Sequence, residues 1–222
     1  MEAEKASYDE LWRAKLRTPP TVVPLRFSAA VAELAGGARV LDVGCGRGVG
    51  HDLLAKRYRE VHGVDGTEAA LAQARARGTA ARVVDLDAGR LPYPDAHFDA
   101  VLLLDVIEHL IDPAPIVAEI ARILRPGGQA VVTTPNVRSL RQLVRIAVQG
   151  RGPRTSGDDF GVDGGHLHYF TSADVVRLCA RAGLRVTEQR GLASRLPASS
   201  ALTRLWPVRE FLSGGLLVQA TR

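Results

Sequence analysis

Three ionisable side chains follow an apolar run in the middle of the sequence. The stretch DVIEHL comes directly after AVLLL and holds Asp105, Glu108 and His109 within five positions. Two more histidines, His166 and His168, lie in GGHLHYF shortly before a predicted helix. Carboxylate and imidazole groups together suit either a divalent metal site or proton transfer to and from a hydroxyl group. The structural alternative is that these residues lie in a solvated loop. The predicted strands and helices around them are needed to choose between a functional site and such a loop.

Short apolar runs rich in β-branched residues alternate with helical patterns along most of the chain. This alternation is typical of a mostly parallel sheet with helices on both faces. The predicted strands are ARVLDVG (38–44), EVHGVD (60–65), ARVVDLD (81–87), FDAVLLL (98–104), QAVVTTP (129–135), LRVTEQR (184–190) and LLVQATR (216–222). We therefore predict an α/β fold with a doubly wound, mostly parallel seven-stranded sheet.

Capping residues mark the helices between these strands. HDLLAKRY predicts one helix, and Thr67 is expected to cap the next, TEAALAQARA. Asp112 is the expected N-cap of a third helix, with Pro113 as its first helical residue. A late helix, TSADVVRLCARAG, is predicted from the capping-box pair Thr171 and Asp174.

The 222 residues are predicted to form a single domain. Within it we expect an N-terminal helical cap (1–37), a cofactor-binding core (38–135), a lid insertion (136–170) after strand five, and a C-terminal helix with strands (171–222). The insertion is rich in arginine and glycine and shows no regular pattern, which is typical of a functional lid. An apolar segment further on, ALTRLWPVREFL (201–212), is expected to pack on the protein's own core.

The sequence shows no pattern typical of membrane insertion or secretion. No apolar run approaches the roughly 20 residues that span a bilayer, and the opening MEAEKASYDELW is polar and acidic, unlike a secretory signal. We therefore expect a cytoplasmic protein with no membrane partner. Cys45 and Cys179 lack the paired spacing of a zinc site, so both are expected to be free thiols.

A glycine-rich loop joins the first predicted strand to the helix after it. In VLDVGCGRGVG, glycines occupy positions 44, 46, 48 and 50. Glycine lets the chain turn sharply and lets a ligand approach the backbone closely. The dinucleotide fingerprint requires glycine or alanine where Val49 stands, which disfavours a nicotinamide cofactor. By itself, the loop does not identify its ligand.

Acidic residues lie near the ends of the second and third predicted strands. Asp65 can accept hydrogen bonds from both hydroxyls of a ribose. Asp85 can accept one from an adenine amino group, and the backbone N–H of Leu86 can serve a ring nitrogen. Like DVIEHL, these residues are predicted to lie at the carboxyl edge of the sheet, where ligands bind in such folds.

Together these motifs resemble the class I S-adenosylmethionine-dependent methyltransferases. VLDVGCGRG is similar to their first motif and GVDGT to the acidic second. LPYPDAHFD and DVIEHL are similar to the stretches that flank the fourth strand, and LRPGGQAVVTTPN to the turn and fifth strand. The resemblance covers residues 38–136, with weaker likeness up to residue 185. It implies S-adenosylmethionine as cofactor and in-line attack on its sulfonium methyl group, for which the enzyme supplies proximity and orientation.

The resemblance also implies roles for individual residues. The backbone of the glycine loop would face the methionine part of the cofactor, and Asp42 would position its amino group. Asp65 would hold the ribose. Asp85 and Leu86 would frame the adenine, with Asp87 as a rival to Asp85. The predicted cofactor set is Asp42, Gly44, Cys45, Gly46, Asp65, Gly66, Asp85, Leu86 and Leu104.

Two subfamilies share the acid and histidine arrangement. The ubiquinone-biosynthesis O-methyltransferases look similar at DVIEHL, and the small-RNA 2′-O-methyltransferases look similar there, at TPN and at H..YFT. By resemblance to the second group, a divalent ion would be held by Asp105, Glu108, His109 and His166, with His168 as an alternative. Such ligands suit Mg²⁺, Mn²⁺ or Zn²⁺, which would lower the pKa of a bound hydroxyl. Without a metal, His109, His166 or His168 could act as general base, and a purely structural role is the third possibility.

The leading functional interpretation is O-methylation of a small-molecule hydroxyl, in a metabolite or natural product, by a monomer or homodimer. RNA 2′-O-methylation is an alternative, because phosphates could be gripped by Arg138, Arg141, Arg145, Arg151 and Arg154. A solvated arginine-rich face is the other explanation of that run, and aromatic residues, at 5%, are few for stacking bases. A cofactor-binding accessory protein without transfer activity, resembling the MetW-like branch, is the third interpretation.

Overall fold

A seven-stranded sheet with the order β3-β2-β1-β4-β5-β7-β6 forms the centre of the protein. The computed structural model describes residues 23–156, 163–192 and 201–222. The strands are β1 (Gly37–Val43), β2 (Tyr58–Asp65), β3 (Ala80–Val83), β4 (Phe98–Leu104), β5 (Leu124–Pro135), β6 (Arg185–Leu192) and β7 (Gly215–Thr221). β1 to β5 run parallel, and β7 is antiparallel to both β5 and β6. The predicted α/β class and mostly parallel sheet are confirmed.

Helices connect the strands and cover both faces of the sheet. In the described residues they are α1 (Leu25–Ala32), α2 (His51–Leu54), α3 (Glu68–Ala76), α4 (Ala114–Ile123), α5 (Leu140–Ala147) and α6 (Ser172–Arg181). α4 and α6 pack on one face, where Ile116, Ile120 and Val175 are almost fully buried. α1 and α2 pack on the other face through Phe27 and Leu54. No described helix has the length and apolar composition needed to cross a bilayer.

The register of the parallel strands brings their carboxyl ends to one edge of the sheet. Val43 of β1 pairs with Val64 of β2 and with Leu103 of β4. Leu104, at the end of β4, pairs with Thr133 of β5. All residues of β4 are buried, as expected for a central strand with a continuous apolar sequence. The chain segments that leave these strands therefore meet at the same edge, which we call the carboxyl edge.

The helix caps follow the prediction at one helix and differ at two. At α6, Thr171 and Asp174 form the predicted capping box. At α4, Pro113 takes the N-cap position, and Asp112 accepts the N–H two residues later at 3.0 Å. Thr67 stands at the N-cap of α3, but its side chain makes no capping hydrogen bond.

Two predictions about the helices were wrong. The helix predicted over residues 51–58 ends at Leu54, because Tyr58 already begins β2. The lid insertion, predicted to lack regular structure, contains α5. Its apolar residues Leu140, Leu143, Val144 and Ala147 recur at helical spacing, but the surrounding arginines and glycines concealed the pattern.

The N-terminal cap and the late apolar segment match the prediction only in part. α1 is a helix within the predicted cap, whereas residues 1–22 lie outside the described residues. In the late segment Leu205 and Trp206 are 54% and 55% exposed, so these side chains do not pack on the core as predicted. Cys45 and Cys179 are buried free thiols, in agreement with the sequence.

Candidate functional site

The glycine loop after β1 lies against the segment that follows β4. Gly44, Gly46 and Gly48 adopt positive φ values of 76°, 50° and 69°, a backbone region that side chains other than glycine rarely enter. A Cβ at Gly44 would lie 2.3 Å from Cγ2 of Val106. Glycine is therefore required at this position to bring the loop against DVIEHL.

Two buried carboxylates flank the loop. Asp65, at the end of β2, accepts the N–H of Gly46 at 2.9 Å and that of Thr67 at 3.3 Å. Asp42 in β1 is 2% exposed, and its Oδ1 has no hydrogen-bond partner among the described residues. Burial and the nearby Asp65 raise the pKa of Asp42 to about 8, and burial also raises the pKa of Asp65. A buried carboxylate oxygen without a partner fits a ligand that carries a positive charge.

Asp85 and Asp87 differ in what they contact. Asp85 lies on an open groove after β3, which is also lined by Val83, Val84, Ala88, Arg90 and Pro92. Its Oδ1 accepts the N–H of Asp87 at 3.1 Å, across the short 3₁₀ turn that Leu86 begins. Asp87 accepts the N–H of Ile111 at 2.8 Å and so ties this turn to the segment after β4. The structure thus gives Asp87 a structural contact and places Asp85 on the groove.

Three further residues of the predicted cofactor set lie at the same edge. Cys45 is buried, and burial raises the pKa of its thiol, which therefore stays neutral. Leu104 is buried as the last residue of β4, whereas Gly66, directly after β2, is exposed. Cys45 and Leu104 therefore pack in the protein interior, and of these three residues Gly66 is the one exposed to solvent.

Glu108, His109 and His166 form a group that could hold a metal ion. One possible ligand atom from each lies within 4.8 Å of the other two. Backbone hydrogen bonds join the two segments that carry them, since the carbonyl of Glu108 accepts the N–H groups of Leu167 at 2.8 Å and His168 at 3.1 Å. The end of the lid insertion is thereby fixed against the segment after β4.

Glu108 is the buried member of this group, with 1% of its surface exposed. Its Oε2 accepts a hydrogen bond from the Thr134 hydroxyl at 3.1 Å. Its Oε1 has no hydrogen-bond partner within the described part of the chain. Burial and the nearby Asp105 carboxylate raise the pKa of Glu108 to about 8. A cation bound at Oε1 would offset the cost of burying this charge.

Hydrogen bonds engage the same nitrogen in both imidazole rings. Nδ1 of His109 lies 3.2 Å from the carbonyl oxygen of Gly165. Nδ1 of His166 lies 2.7 Å from Oγ1 of Thr155 and 3.6 Å from a carboxylate oxygen of Asp163. Because Nδ1 is engaged in each ring, Nε2 is the nitrogen suited to coordinate a metal ion or to accept a proton.

The structure does not bring Asp105 or His168 into this group. Asp105 has a φ of 53°, and its carboxylate accepts the Thr133 hydroxyl at 2.7 Å and pairs with Arg26 at 3.2 Å. Nε2 of His168 lies 3.1 Å from the carbonyl oxygen of Ile111. The arrangement differs from the expectation that Asp105 is a ligand, because these contacts hold its carboxylate outside the group of three. Of the two alternatives in the lid, His166 and not His168 joins the group.

Four residues that support the site escaped the sequence analysis. They are Arg26, Thr134, Thr155 and Asp163. Thr134 lies in the motif TTPN, which was a usable indication of its role. Arg26 and Thr155 lie in segments without a motif. Arg26 pairs with Asp105, which is distant in sequence, whereas Thr155 contacts His166 within the lid insertion.

The comparisons with known proteins agree with this geometry. A family model described as a methyltransferase domain matches residues 41–132. A probable S-adenosylmethionine-dependent methyltransferase of Mycolicibacterium smegmatis is 36% identical over 162 residues, which cover 73% of this chain and 58% of that protein. A ubiquinone biosynthesis O-methyltransferase of Thiobacillus denitrificans is 33% identical over 179 residues, which cover 76% of this chain and 73% of that protein. The match to the Mycolicibacterium smegmatis protein thus spans little more than half of that protein's length.

Solved structures show the same fold. A SAM-dependent methyltransferase from Archaeoglobus fulgidus superimposes with a TM-score of 0.67 over 97% of this chain and 100% of that chain. Its sequence identity is 20%, so this likeness concerns the fold alone. With the glycine loop, the acidic strand ends and the sequence relatives, these findings show that the chain belongs to the class I S-adenosylmethionine-dependent methyltransferases, a family of enzymes.

Proposed function

We propose that the protein is an O-methyltransferase that acts on a hydroxyl group of a small molecule. The observation that carries this proposal is the group of Glu108, His109 and His166 beside the glycine loop. Val106 contacts Gly44 of the glycine loop and lies only two residues before Glu108 in the chain. Carboxylate and imidazole groups at this place suit the deprotonation of a hydroxyl better than the methylation of a carbon atom. The name of the Thiobacillus denitrificans relative, an O-methyltransferase, supports the same reaction type.

The carboxyl edge offers a complementary group for each part of the cofactor. The unpartnered Oδ1 of Asp42 suits the methionine ammonium group, and Asp65, at the end of β2, suits the ribose hydroxyls. Asp85 on its groove suits the adenine amino group. S-adenosylmethionine supplies an electrophilic methyl group when bound. The chain itself contributes orientation, because Gly44 and its neighbours let the cofactor approach the backbone closely.

The residues present also fit a divalent metal ion. Glu108 provides a buried carboxylate oxygen without a hydrogen-bond partner among the described residues. His109 and His166 each have Nδ1 engaged by a carbonyl, hydroxyl or carboxylate oxygen, which is the usual support of a metal-binding histidine. A mixed oxygen and nitrogen set of this kind suits Mg²⁺, Mn²⁺ or Zn²⁺. Such an ion lowers the pKa of a hydroxyl group that it contacts.

The chain also carries a route to the same reaction by proton transfer. If Nδ1 of His109 donates to the carbonyl of Gly165, Nε2 is the unprotonated nitrogen of that ring. His109 is exposed, so an acceptor hydroxyl can reach it. In this form of the proposal, Asp163 and Thr155 position His166, and His109 accepts the proton.

Methyl-labelled S-adenosylmethionine tests the proposed reaction. The purified protein is incubated with matched acceptors that differ in the nucleophile, namely a catechol, an aromatic amine, a thiol and a short RNA. We expect label in the catechol. Label confined to the amine, the thiol or the RNA would contradict the proposal. Addition of a chelator separates the two routes, because only the metal route loses activity and regains it with Mg²⁺, Mn²⁺ or Zn²⁺.

A pair of histidine variants tests the site itself. His166→Ala removes a member of the group and should lower the transfer rate at least about 100-fold, as expected for loss of a metal ligand or its support. His97→Ala is the matched control, because His97 precedes β4 and so lies at the opposite edge of the sheet. A His166→Ala variant with the rate of the wild type would show that the group has no part in transfer.

A further inference from the structure

α5 presents its apolar side chains to solvent. Leu140, Leu143 and Val144 lie on one side of the helix and are 53%, 37% and 40% exposed. Gln142 lies on the opposite side and is 6% exposed. A surface helix of a globular protein normally has the reverse arrangement, with the apolar stripe facing the core. We call these three residues the apolar stripe.

Hydrogen bonds on the polar side fix this orientation. The Gln142 side chain accepts the N–H of Arg154 at 2.9 Å and donates to its carbonyl at 2.5 Å. Nε of Arg145 donates to the carbonyl of Gly152 at 2.7 Å. Rotation of the apolar stripe toward the protein would break all three bonds. The outward position of the stripe is therefore built into the contacts between α5 and the segment after it.

Positive charge surrounds the apolar stripe. From Val137 to Ser156 the chain contains five arginines and no acidic residue. Arg141 and Arg151 make no ion pair with any residue that the structure describes, whereas Arg138 pairs with Glu210 at 3.5 Å. A short helix with an exposed apolar side and flanking arginines is the pattern of segments that lie in the interface of an anionic lipid bilayer.

The rest of the carboxyl edge has the same apolar character. Within residues 23–156, 163–192 and 201–222, most segments that carry exposed large apolar side chains leave or enter the sheet at this edge. These segments include the start of α1, the end of β3, the segment after β4, residues 140–148 and 167–169 of the lid insertion, and residues 208–212 before β7. Ile111, Leu167 and Leu212 are examples, with 73%, 57% and 63% exposed. An apolar surface concentrated at one edge is typical of an interaction site.

We infer that α5 and the surrounding carboxyl edge dock on an anionic lipid surface. The apolar stripe enters the boundary between headgroups and acyl chains, and Arg141 and Arg151 face the anionic headgroups. The candidate active site then opens toward the bilayer, from which an apolar acceptor can reach it. This inference departs from the expectation of no membrane partner, which rested on the lack of a membrane-spanning run and did not consider peripheral contact.

Co-sedimentation of the full chain with lipid vesicles tests the inference. We expect at least about tenfold stronger partition onto vesicles with about 30% phosphatidylglycerol than onto pure phosphatidylcholine. We also expect binding to weaken as the salt concentration rises from about 0.05 M to about 0.3 M. Equal partition onto both kinds of vesicle, or none, would overturn the inference.

Matched variants locate the contact. Leu143→Asp should reduce vesicle binding at least about tenfold, while Ala72→Asp on α3 introduces the same charge on an exposed helix and should not. Arg141→Gln should reduce it several-fold, while Arg59→Gln at the start of β2 should leave it unchanged. Because Arg141 makes no described ion pair, its variant remains informative even if Leu143→Asp fails to fold. Equal effects of test and control variants would contradict docking through α5.

Two other occupants of this surface would be recognised by different results with the same variants. A second copy of the chain would appear as a dimer in analytical ultracentrifugation that Leu143→Asp dissociates, with no vesicle binding. An RNA partner would appear as binding to RNA oligomers that Leu143→Asp leaves intact and Arg141→Gln weakens. Either result would assign the surface to that occupant and overturn the inference of lipid docking.

Discussion

Asp65→Asn isolates the contribution of one carboxylate to cofactor binding. Asp65 is 4% exposed and accepts the N–H groups of Gly46 at 2.9 Å and Thr67 at 3.3 Å. Asparagine has nearly the same size, and its one acceptor oxygen can keep the N–H of Gly46, whereas the N–H of Thr67, which uses the other oxygen, loses its acceptor. Burial raises the pKa of Asp65, which means that a neutral side chain is not penalised in the fold without ligand. The substitution should therefore lower the free energy of unfolding by no more than about 1–3 kcal/mol, the cost of one buried donor without an acceptor.

The loss of affinity follows from the hydrogen bonds to the ribose. A hydrogen bond to a charged acceptor contributes about 1.5–3 kcal/mol, against about 0.5–1.5 kcal/mol for a neutral one. In Asp65→Asn, one ribose hydroxyl faces a neutral oxygen and the other faces an NH₂ group in place of an acceptor. The sum is about 3 kcal/mol, which corresponds to a loss of affinity on the order of 100-fold.

Isothermal titration calorimetry with S-adenosylhomocysteine measures this loss. Asp99→Asn is the matched control, because Asp99 is also a buried carboxylate and accepts the N–H groups of Ala38 and Arg39, both at 2.7 Å. Asp99 lies near the start of β4, away from the carboxyl edge, so its variant should lose Tm and keep its affinity. An Asp65→Asn affinity within threefold of the wild type, or an equal loss in Asp99→Asn, would show that Asp65 does not hold the ribose.

Three further predictions concern the same edge. Gly44→Ala places a Cβ 2.3 Å from Val106 at a φ of 76°, so it should abolish cofactor binding in calorimetry; measurable binding would show that the loop can move away from the segment after β4. The raised pKa of Asp42, about 8, means that this group's contribution to stability is full below its ordinary pKa of 3.8 and is lost as the pH rises toward 8. Asp42→Asn should therefore melt at a higher temperature than the wild type at pH 8, by a margin that shrinks toward pH 4 in differential scanning fluorimetry, and a margin independent of pH would contradict the burial argument. Asp85→Asn should weaken binding of S-adenosylhomocysteine about tenfold, as expected for one hydrogen bond, whereas Asp87→Asn should mainly lower Tm, because Asp87 holds Ile111; the opposite pattern would make Asp87 the adenine contact.

The sequence was sufficient for most of the sheet, because strand patterns depend on local burial. β4 begins and ends where its apolar run predicts, at Phe98 and Leu104. α5 was missed because the arginines and glycines around it concealed the helical spacing of its apolar residues. These apolar residues are exposed in the structure, so the helix does not depend on packing against the core. The predicted length of α2 was too great. Helical propensity continues past Leu54, but Tyr58 pairs with β1 and so belongs to β2.

At the candidate site the sequence identified the strand ends but not the contacts across them. The positions of Asp65 and Glu108 after their strands followed from the topology of a parallel sheet. The exclusion of Asp105 from the group of three did not, because it depends on a positive φ and on the ion pair with Arg26 from α1. The choice of His166 over His168 likewise depends on Thr155, within the lid insertion.

In the function proposed here, the cofactor pocket and the group of Glu108, His109 and His166 form a single active site. A crystal grown with S-adenosylhomocysteine and Mn²⁺ would show whether the two coincide, because anomalous scattering locates the metal independently of any assay. We expect one Mn²⁺ ion bound by Glu108, His109 and His166, in the same cleft as the sulfur atom of the bound nucleoside. Nucleoside bound at Asp65 with no metal at this group would contradict the metal site, and nucleoside bound elsewhere would contradict both the cofactor pocket and the single active site.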